Sequence, residues 1–329
     1  MRKLTFEDFE RYDTILNDKN EESDQTASWK GLKATEYVSK LAFNSFCGGS
    51  MPKIFCRTSS SLFKNLFQEL RKPDCCYVTY LNDFIKSTPT TTPIDKVSVL
   101  LKKTHILSAS HIEEAATIIA NTLQVSTVYN KSILIDDRQY VISVDMIGKD
   151  EHFSPVLFFQ SINDYTLEDC LDCLEDYLTS TYSSISNEDI LQICKDFVPM
   201  YFYRKHIIKD TDFCGKNIGI IYNEKAKTHK LAPCFDMECS LKPPLIDYAL
   251  EDLEKDLKFS RKRFPTLTDD LVKHYKNCLK TNAIESNLQK NVSTAYNTKT
   301  FNDFATNNLS ILIDKYETIT KGYENLRII

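Results

Sequence analysis

The apolar pattern of the chain changes near its middle, and that change limits what the chain can fold into. Before residue 146 most apolar residues gather in short runs bounded by polar, turn-forming residues. Ile54-Phe55-Cys56, Cys75–Leu81, Val97–Lys102, Ser132–Asp136 and Tyr140–Asp145 read as strands, the last two turning at Asp136-Asp137. Gly31–Phe46 reads as a helix, and a serine-rich turn with a helix occupies 57–73. Ala109–Leu123 is the best-marked helix, with Ile112, Ala115, Ala116, Ile119 and Leu123 on one side. Farther on, Leu167–Ser180 and Asn187–Ile208 read as helices, and Ile218–Tyr222 with His229–Ala232 as a β-hairpin. From Asp247 onward nearly everything reads as helix. The expected class is α+β, with a β-rich N-terminal lobe over 1–147 and a helical C-terminal lobe over 148–329. An extra N-terminal helix and an insertion around 57–96 belong to the first lobe.

Composition removes several classes of function. The net charge of −5 argues against a protein that coats nucleic acid, which would carry a basic excess. No apolar run approaches the ~20 residues that span a bilayer. The first residues lack the apolar core of a signal peptide, so a cytoplasmic location is expected. Eleven cysteines at irregular spacing read as reduced thiols rather than a disulfide framework. Cys170 and Cys173 form a CxxC with no second pair to complete a zinc site, and read as two small apolar positions on a helix. Only seven glycines occur, and two are adjacent at Gly48-Gly49, which points to an unusual backbone there.

The stretch Asp210-Thr211-Asp212-Phe213-Cys214-Gly215-Lys216-Asn217 lies between a helix and a strand, and Asp236 follows the hairpin. Phosphoryl transfer from ATP needs a carboxylate to accept the substrate hydroxyl proton and hard oxygen ligands for magnesium. Asp212 with Asn217 five residues on, then Asp236, supply those types in the order a protein kinase uses. The same chemistry asks for a strand lysine on the ATP phosphates and a helix glutamate to orient it. Lys102 offers the lysine, with Lys103 as its alternate, and Glu113 or Glu114 offers the acid. Gly48, Gly49 and Ser50 offer bare backbone N–H groups to phosphates. Each piece alone has an ordinary reading: a polar turn, surface charges, a tight turn. Their joint order, glycine loop, lysine, glutamate, Asp, Asn, Asp, is what carries the argument.

These motifs resemble the HipA-like serine/threonine kinases, of the compact bacterial effector and toxin type. Gly48-Gly49-Ser50-Met51-Pro52-Lys53 resembles the family's GG-x-x-PK nucleotide loop, and residues 210–217 its N-x-D-x-H-x-x-N catalytic loop. Ala232-Pro233-Cys234-Phe235-Asp236 resembles its metal-binding segment, and Glu113–Val125 its E-x-x-A helix. The resemblance covers about 45–56 and 97–245. It implies a two-lobed protein-kinase-like fold, ATP and magnesium as cofactors, a protein substrate, and a toxin–antitoxin setting with a regulatory or antitoxin partner. It also implies autophosphorylation near the glycine loop, where Ser45 and Ser50 stand, while the charge and the lack of a spanning apolar run point to no direct nucleic acid and no membrane. By position, Asp212 is the base, Asn217 and Asp236 hold metal, Lys102 and Glu113 form the ion pair, and Gly48, Gly49, Ser50 and Lys53 form the phosphate loop. Cys214 stands where the family has His, and Asp210 where it has Asn, so that Asp210→Asn is expected to be tolerated. Two rival readings are a nucleotide-binding pseudokinase, which the Cys214 change motivates, and a non-enzymatic interaction module.

Overall fold

A computed structural model describes residues 9–11, 53–58, 98–103, 107–135, 138–144, 146, 151–156, 159–241, 250–292 and 298–326. Gly48, Gly49, Ser50, Ser45, the expected helix at 31–46 and the strand at Cys75–Leu81 lie outside the described residues. The chain divides into two compact units. One holds residues 1–114 and 128–146, the other 115–127 and 147–329.

The first unit is built on an antiparallel sheet of β1 (Phe9–Arg11), β2 (Lys53–Thr58), β3 (Ser98–Lys103), β4 (Asn130–Ile135) and β5 (Arg138–Val144), in the order β1-β2-β3-β5-β4. β4 and β5 pair antiparallel from Asn130↔Ser143 to Ile135↔Arg138, on either side of Asp136-Asp137. Across β3, Lys102 pairs with Val141 on one side and Lys53 on the other. Helix α1 (Leu107–Thr122) follows β3, and the division between units falls within it, after Glu114. Its burial extends around the whole helix: Ala115, Ala116, Ile118, Ile119 and Ala120 are all enclosed. A helix buried on every side tolerates polar groups only when they are paired.

The second unit opens with β6 (Glu151–Pro155), which pairs antiparallel with β7 (Gly219–Asn223), itself paired with β8 (Thr228–Leu231). Sequence pattern misses β6 because Glu-His-Phe-Ser-Pro alternates poorly and ends in proline, which leaves little strand signal. Helix α2 (Leu167–Thr181) starts at a capping box: Thr166 accepts from the Asp169 N–H, and the Asp169 carboxylate accepts from the Thr166 N–H. Helix α3 (Asn187–Tyr201) is capped by Ser186. Sequence reasoning runs this helix on to Ile208, but the α-helix ends at Tyr201 and the chain winds into a π-helical segment, Phe202–Ile207. Pro199 already removes one donor from the ladder of α3, and the Ile208 N–H reaches back five residues to the Tyr203 carbonyl at 2.9 Å. The helices α4 (Leu250–Arg263), α5 (Pro265–Lys280), α6 (Ala283–Asn291) and α7 (Thr298–Leu326) complete the unit. The architecture is therefore mixed, strand-rich first and helical toward the C-terminus. Among the described residues no helix is long and apolar enough to cross a membrane.

Candidate functional site

Within the first unit, Lys102 Nζ donates to Glu113 Oε2 at 2.8 Å, with both side chains buried. Strand alternation turns Lys102 to one face of β3, and α1, entered four residues after the strand, presents Glu113 to it. The neighbouring Glu114 is equally buried and takes a different partner, Lys131 of β4. The two glutamates that the sequence leaves as alternates are thus divided between two lysines. Lys53 sits in β2 opposite Lys102 by backbone register.

Within the second unit, the segment after the π turn forms a tight loop. Asp210 is fully enclosed and spends both carboxylate oxygens on structure. Oδ2 accepts from Arg204 through Nε at 2.8 Å and through Nη2, and Oδ1 accepts the Asp212 N–H at 3.1 Å. Its carbonyl accepts from Asn163 Nδ2 at 2.8 Å. Burial pushes the Asp210 carboxyl up, while Arg204 pulls it back down. Asp212, by contrast, is half exposed. Asn217 Nδ2 donates to the Asp212 carbonyl at 2.9 Å and to Asp212 Oδ2 at 3.1 Å, so one loop presents both side chains together. Lys216 Nζ lies 3.3 Å from the same Oδ2. Partial burial works against the Lys216 charge, but Asp212 outweighs it and raises the ammonium above its usual value.

Cys214 Sγ lies 3.6 Å from Asp212 Oδ1. Burial, reinforced by the Asp212 carboxylate, pushes its thiol up, so it meets the carboxylate as S–H. Gly215 allows the loop to pack flat on its neighbours: its N–H donates to the Phe159 carbonyl at 2.9 Å, and a Cβ here would lie 1.9 Å from the Val156 carbonyl oxygen. Beyond the hairpin, Asp236 is half buried and adopts φ 56°, a left-handed conformation that costs a non-glycine residue roughly 1–3 kcal/mol. Strain of that kind gathers where a side chain must be aimed. The carboxylates of Asp236 and Glu238 come within 4.8 Å of one another.

Arg204 ties these parts together. It is completely buried, grips Asp210 with two donors, and donates Nη1 to the Asn217 carbonyl at 2.8 Å. Its Nη2 also reaches the Asp236 carbonyl at 3.4 Å. Its guanidinium stacks over the Phe213 ring at 4.6 Å. Burial alone would lower its pKa, but Asp210 outweighs that and raises it. One side chain therefore joins the backbone at both candidate metal-ligating residues to the carboxylate that holds the loop. Only arginine offers a planar fork of five donors for such a task.

No family model and no curated protein matches the sequence. Among solved structures, the chain is similar to the Helicobacter pylori proinflammatory kinase CtkA, with 16% identity, 70% of this chain and 90% of that chain covered, and a TM-score of 0.49. It is also similar to HipA of the Shewanella oneidensis MR-1 toxin–antitoxin system, in complex with HipB and operator DNA. There the identity is 12%, the coverage 68% of this chain and 58% of that one, and the TM-score 0.44.

The HipA-like motif as read from sequence holds Asp212, Asn217 and Asp236 but omits Arg204 and Glu238. Arg204 lies within what reads as a plain helix, where a charged residue is ordinarily a solvent-facing position. Three consecutive basic residues, Arg204-Lys205-His206, inside a strongly apolar helix end are the available signal, since all three cannot face water there. Glu238 is two residues past Asp236, and an acid at that spacing carries no distinguishing pattern by itself.

Proposed function

We propose that this protein is an ATP- and magnesium-dependent serine/threonine protein kinase of the HipA-like type, with a two-lobed kinase fold. The observation that carries the reading is the Asp212–Asn217 pair: a half-exposed carboxylate held by the amide of the residue five positions on, while Asp210 is wholly consumed in holding the loop. A base must stay accessible and fixed, and of the two loop carboxylates Asp212 alone meets both demands. Asn217 Nδ2 is spent on Asp212, which leaves Oδ1 as the amide's ligand atom. With the carboxylates of Asp236 and Glu238, which lie within 4.8 Å of one another, it would offer an all-oxygen donor set suited to magnesium rather than to a soft metal. Bound there, magnesium would neutralise charge on the ATP phosphates. The buried Lys102–Glu113 pair supports the same reading, because a lysine fixed by a glutamate is what orients ATP phosphates in kinases. Gly48, Gly49, Ser50 and Lys53 are assigned to the phosphate loop, Ser45 or Ser50 to autophosphorylation, and a second protein to regulation as an antitoxin would exert it.

The pseudokinase reading is favoured by one observation, Cys214 at the family's histidine position. The Cys214 thiol nevertheless lies against Asp212 as a weak donor, so the base keeps a partner on that side. Thermal stability with ATP, with and without magnesium, tests the binding reading. The wild type should be stabilised by ATP only with magnesium, and Asp236→Ala should lose that shift while unfolding cooperatively. No magnesium-dependent shift in the wild type would sink the proposal, and a shift without phosphate transfer to any protein would favour the pseudokinase.

A further inference from the structure

Asp256, on α4, is a fully enclosed acid with no part in the chemistry above. Its Oδ1 accepts the N–H of Leu167, the first residue of α2, at 2.7 Å. Its Oδ2 accepts from the Tyr201 hydroxyl at 2.9 Å and from His206 Nε2 at 2.8 Å, and lies 3.7 Å from Lys205 Nζ. Lys205 Nζ also donates to the Tyr165 carbonyl at 2.7 Å and to the Tyr201 oxygen at 2.8 Å. Burial pushes the His206 imidazole below its usual value against the pull of Asp256, and Nε2 lies at hydrogen-bond distance from that acceptor-only carboxylate. Lys205 and Asp256 then cancel in charge, which is the condition for enclosing them.

Three of these groups, Tyr201, Lys205 and His206, stand at the end of α3 and in the π-helical segment that leads into the loop at 209–217. A π turn is a poor helix by itself and persists where the surroundings hold it. Arg204 lies in the same segment, on the side facing Asp210. Fixing its two C-terminal neighbours to α4 fixes where its guanidinium begins.

We propose that Asp256 is a positioning residue for the active site: through His206, Lys205 and Tyr201 it locks the π turn, and the locked turn aims Arg204 at Asp210, Asn217 and Asp236. This rests on the kinase reading only for its kinetic consequence, because the mechanical consequence can be read without catalysis.

Amide hydrogen exchange on the full chain tests it, comparing the wild type with Asp256→Asn, His206→Ala and His206→Gln. The reporters are the Ile208, Asp210 and Asp212 amides, bonded to the Tyr203 carbonyl, the Arg204 carbonyl and Asp210 Oδ1. The Ser286 and Val292 amides of α6 are the controls. Asp256→Asn and His206→Ala should speed exchange at the reporters about tenfold or more, the loss of one buried hydrogen bond, with the controls unchanged. His206→Gln, whose amide can donate in place of the imidazole, should stay near the wild type. Under the kinase reading, the first two variants should also lose kcat at constant KM for ATP. Reporter amides that exchange as in the wild type, or that speed up equally with the controls, overturn the proposal. If Asp256→Asn does not fold, the contrast between His206→Ala and His206→Gln decides alone. A wild type that transfers no phosphate would count against the kinase reading and leave the exchange result standing.

Discussion

Replacing Asp210 by Asn restores the residue of the resembling family, yet the structure predicts a severe loss of stability. Arg204 and Asp210 are both fully enclosed, and Asp210 Oδ2 takes two guanidinium donors. Asn keeps the shape and one acceptor but removes the only negative charge bonded to Arg204. The guanidinium would retain its bonds to the Asn217 and Asp236 carbonyls, which are dipoles and not counterions. Breaking a buried ion pair at one end costs about 3–5 kcal/mol, and the remaining acceptor puts Asp210→Asn near the lower figure, ~3 kcal/mol. For a unit of this size each kcal/mol lowers Tm by about 2–4 °C, so a fall of about 6–12 °C is expected. The assay is thermal unfolding followed by circular dichroism, with Asp212→Asn as control. Asp212 is half exposed, and its replacement should move stability by no more than about 0.5 kcal/mol. Removing both charges, as in Arg204→Met with Asp210→Leu, should recover part of the loss at most: no buried charge is left uncompensated, but the Asn217 and Asp236 carbonyls and the Asp212 N–H lose their partners. If Asp210→Asn melts within about 1 °C of the wild type, Arg204 does not depend on Asp210 for its charge balance, and the reasoning fails.

Three other outcomes are expected. Asp212→Asn should lower phosphate transfer about 10²–10⁴-fold, the range for general acid–base help, with ATP affinity measured by calorimetry nearly unchanged. Gly215→Ala places a methyl group 1.9 Å from the Val156 carbonyl and should cost about 1–3 kcal/mol, read as a lower urea midpoint. Stability should also fall as pH drops below the ordinary histidine value of 6.5: burial holds the folded His206 below it, so the unfolded chain takes up the proton first. That contribution is complete above pH 6.5 and is lost as pH falls through the folded value. His206→Gln should flatten Tm across that window.

Elements with a strong local pattern were legible in the sequence. Helices α1 and α2 and the strands of the β4–β5 and β7–β8 hairpins all follow from periodicity. The end of α3 was not, because a π turn and an α-helix share the same apolar pattern over one or two turns, and the difference lies in which tertiary bonds hold the segment. For the candidate site, types and spacing marked Asp212, Asn217 and Asp236, and spacing left Glu113 and Glu114 open. That choice depends on where two strands present Lys102 and Lys131, which is a matter of sheet register rather than local sequence. The Gly48–Ser50 loop and the side chain of Lys53 lie outside the described residues.

The two departures of the loop from the family pattern have different physical standing. Cys214, where the resembling family has a histidine, is a small, weak donor set against the Asp212 carboxylate. Asp210 replaces an amide with a charge inside a sealed core, and a sealed charge cannot be accepted singly. It requires Arg204, and Arg204 in turn requires acceptors for its remaining donors, which the Asn217 and Asp236 carbonyls provide. A neutral amide at position 210 would bond the loop locally and leave the hairpin segment to be held by other means. With the ion pair, the same side chain that neutralises Asp210 also fixes the backbone on both sides of the hairpin. Arg204 and Asp210 are therefore two halves of one buried ion pair, and the spacing of 204 and 210 across a π turn is what allows the two halves to meet.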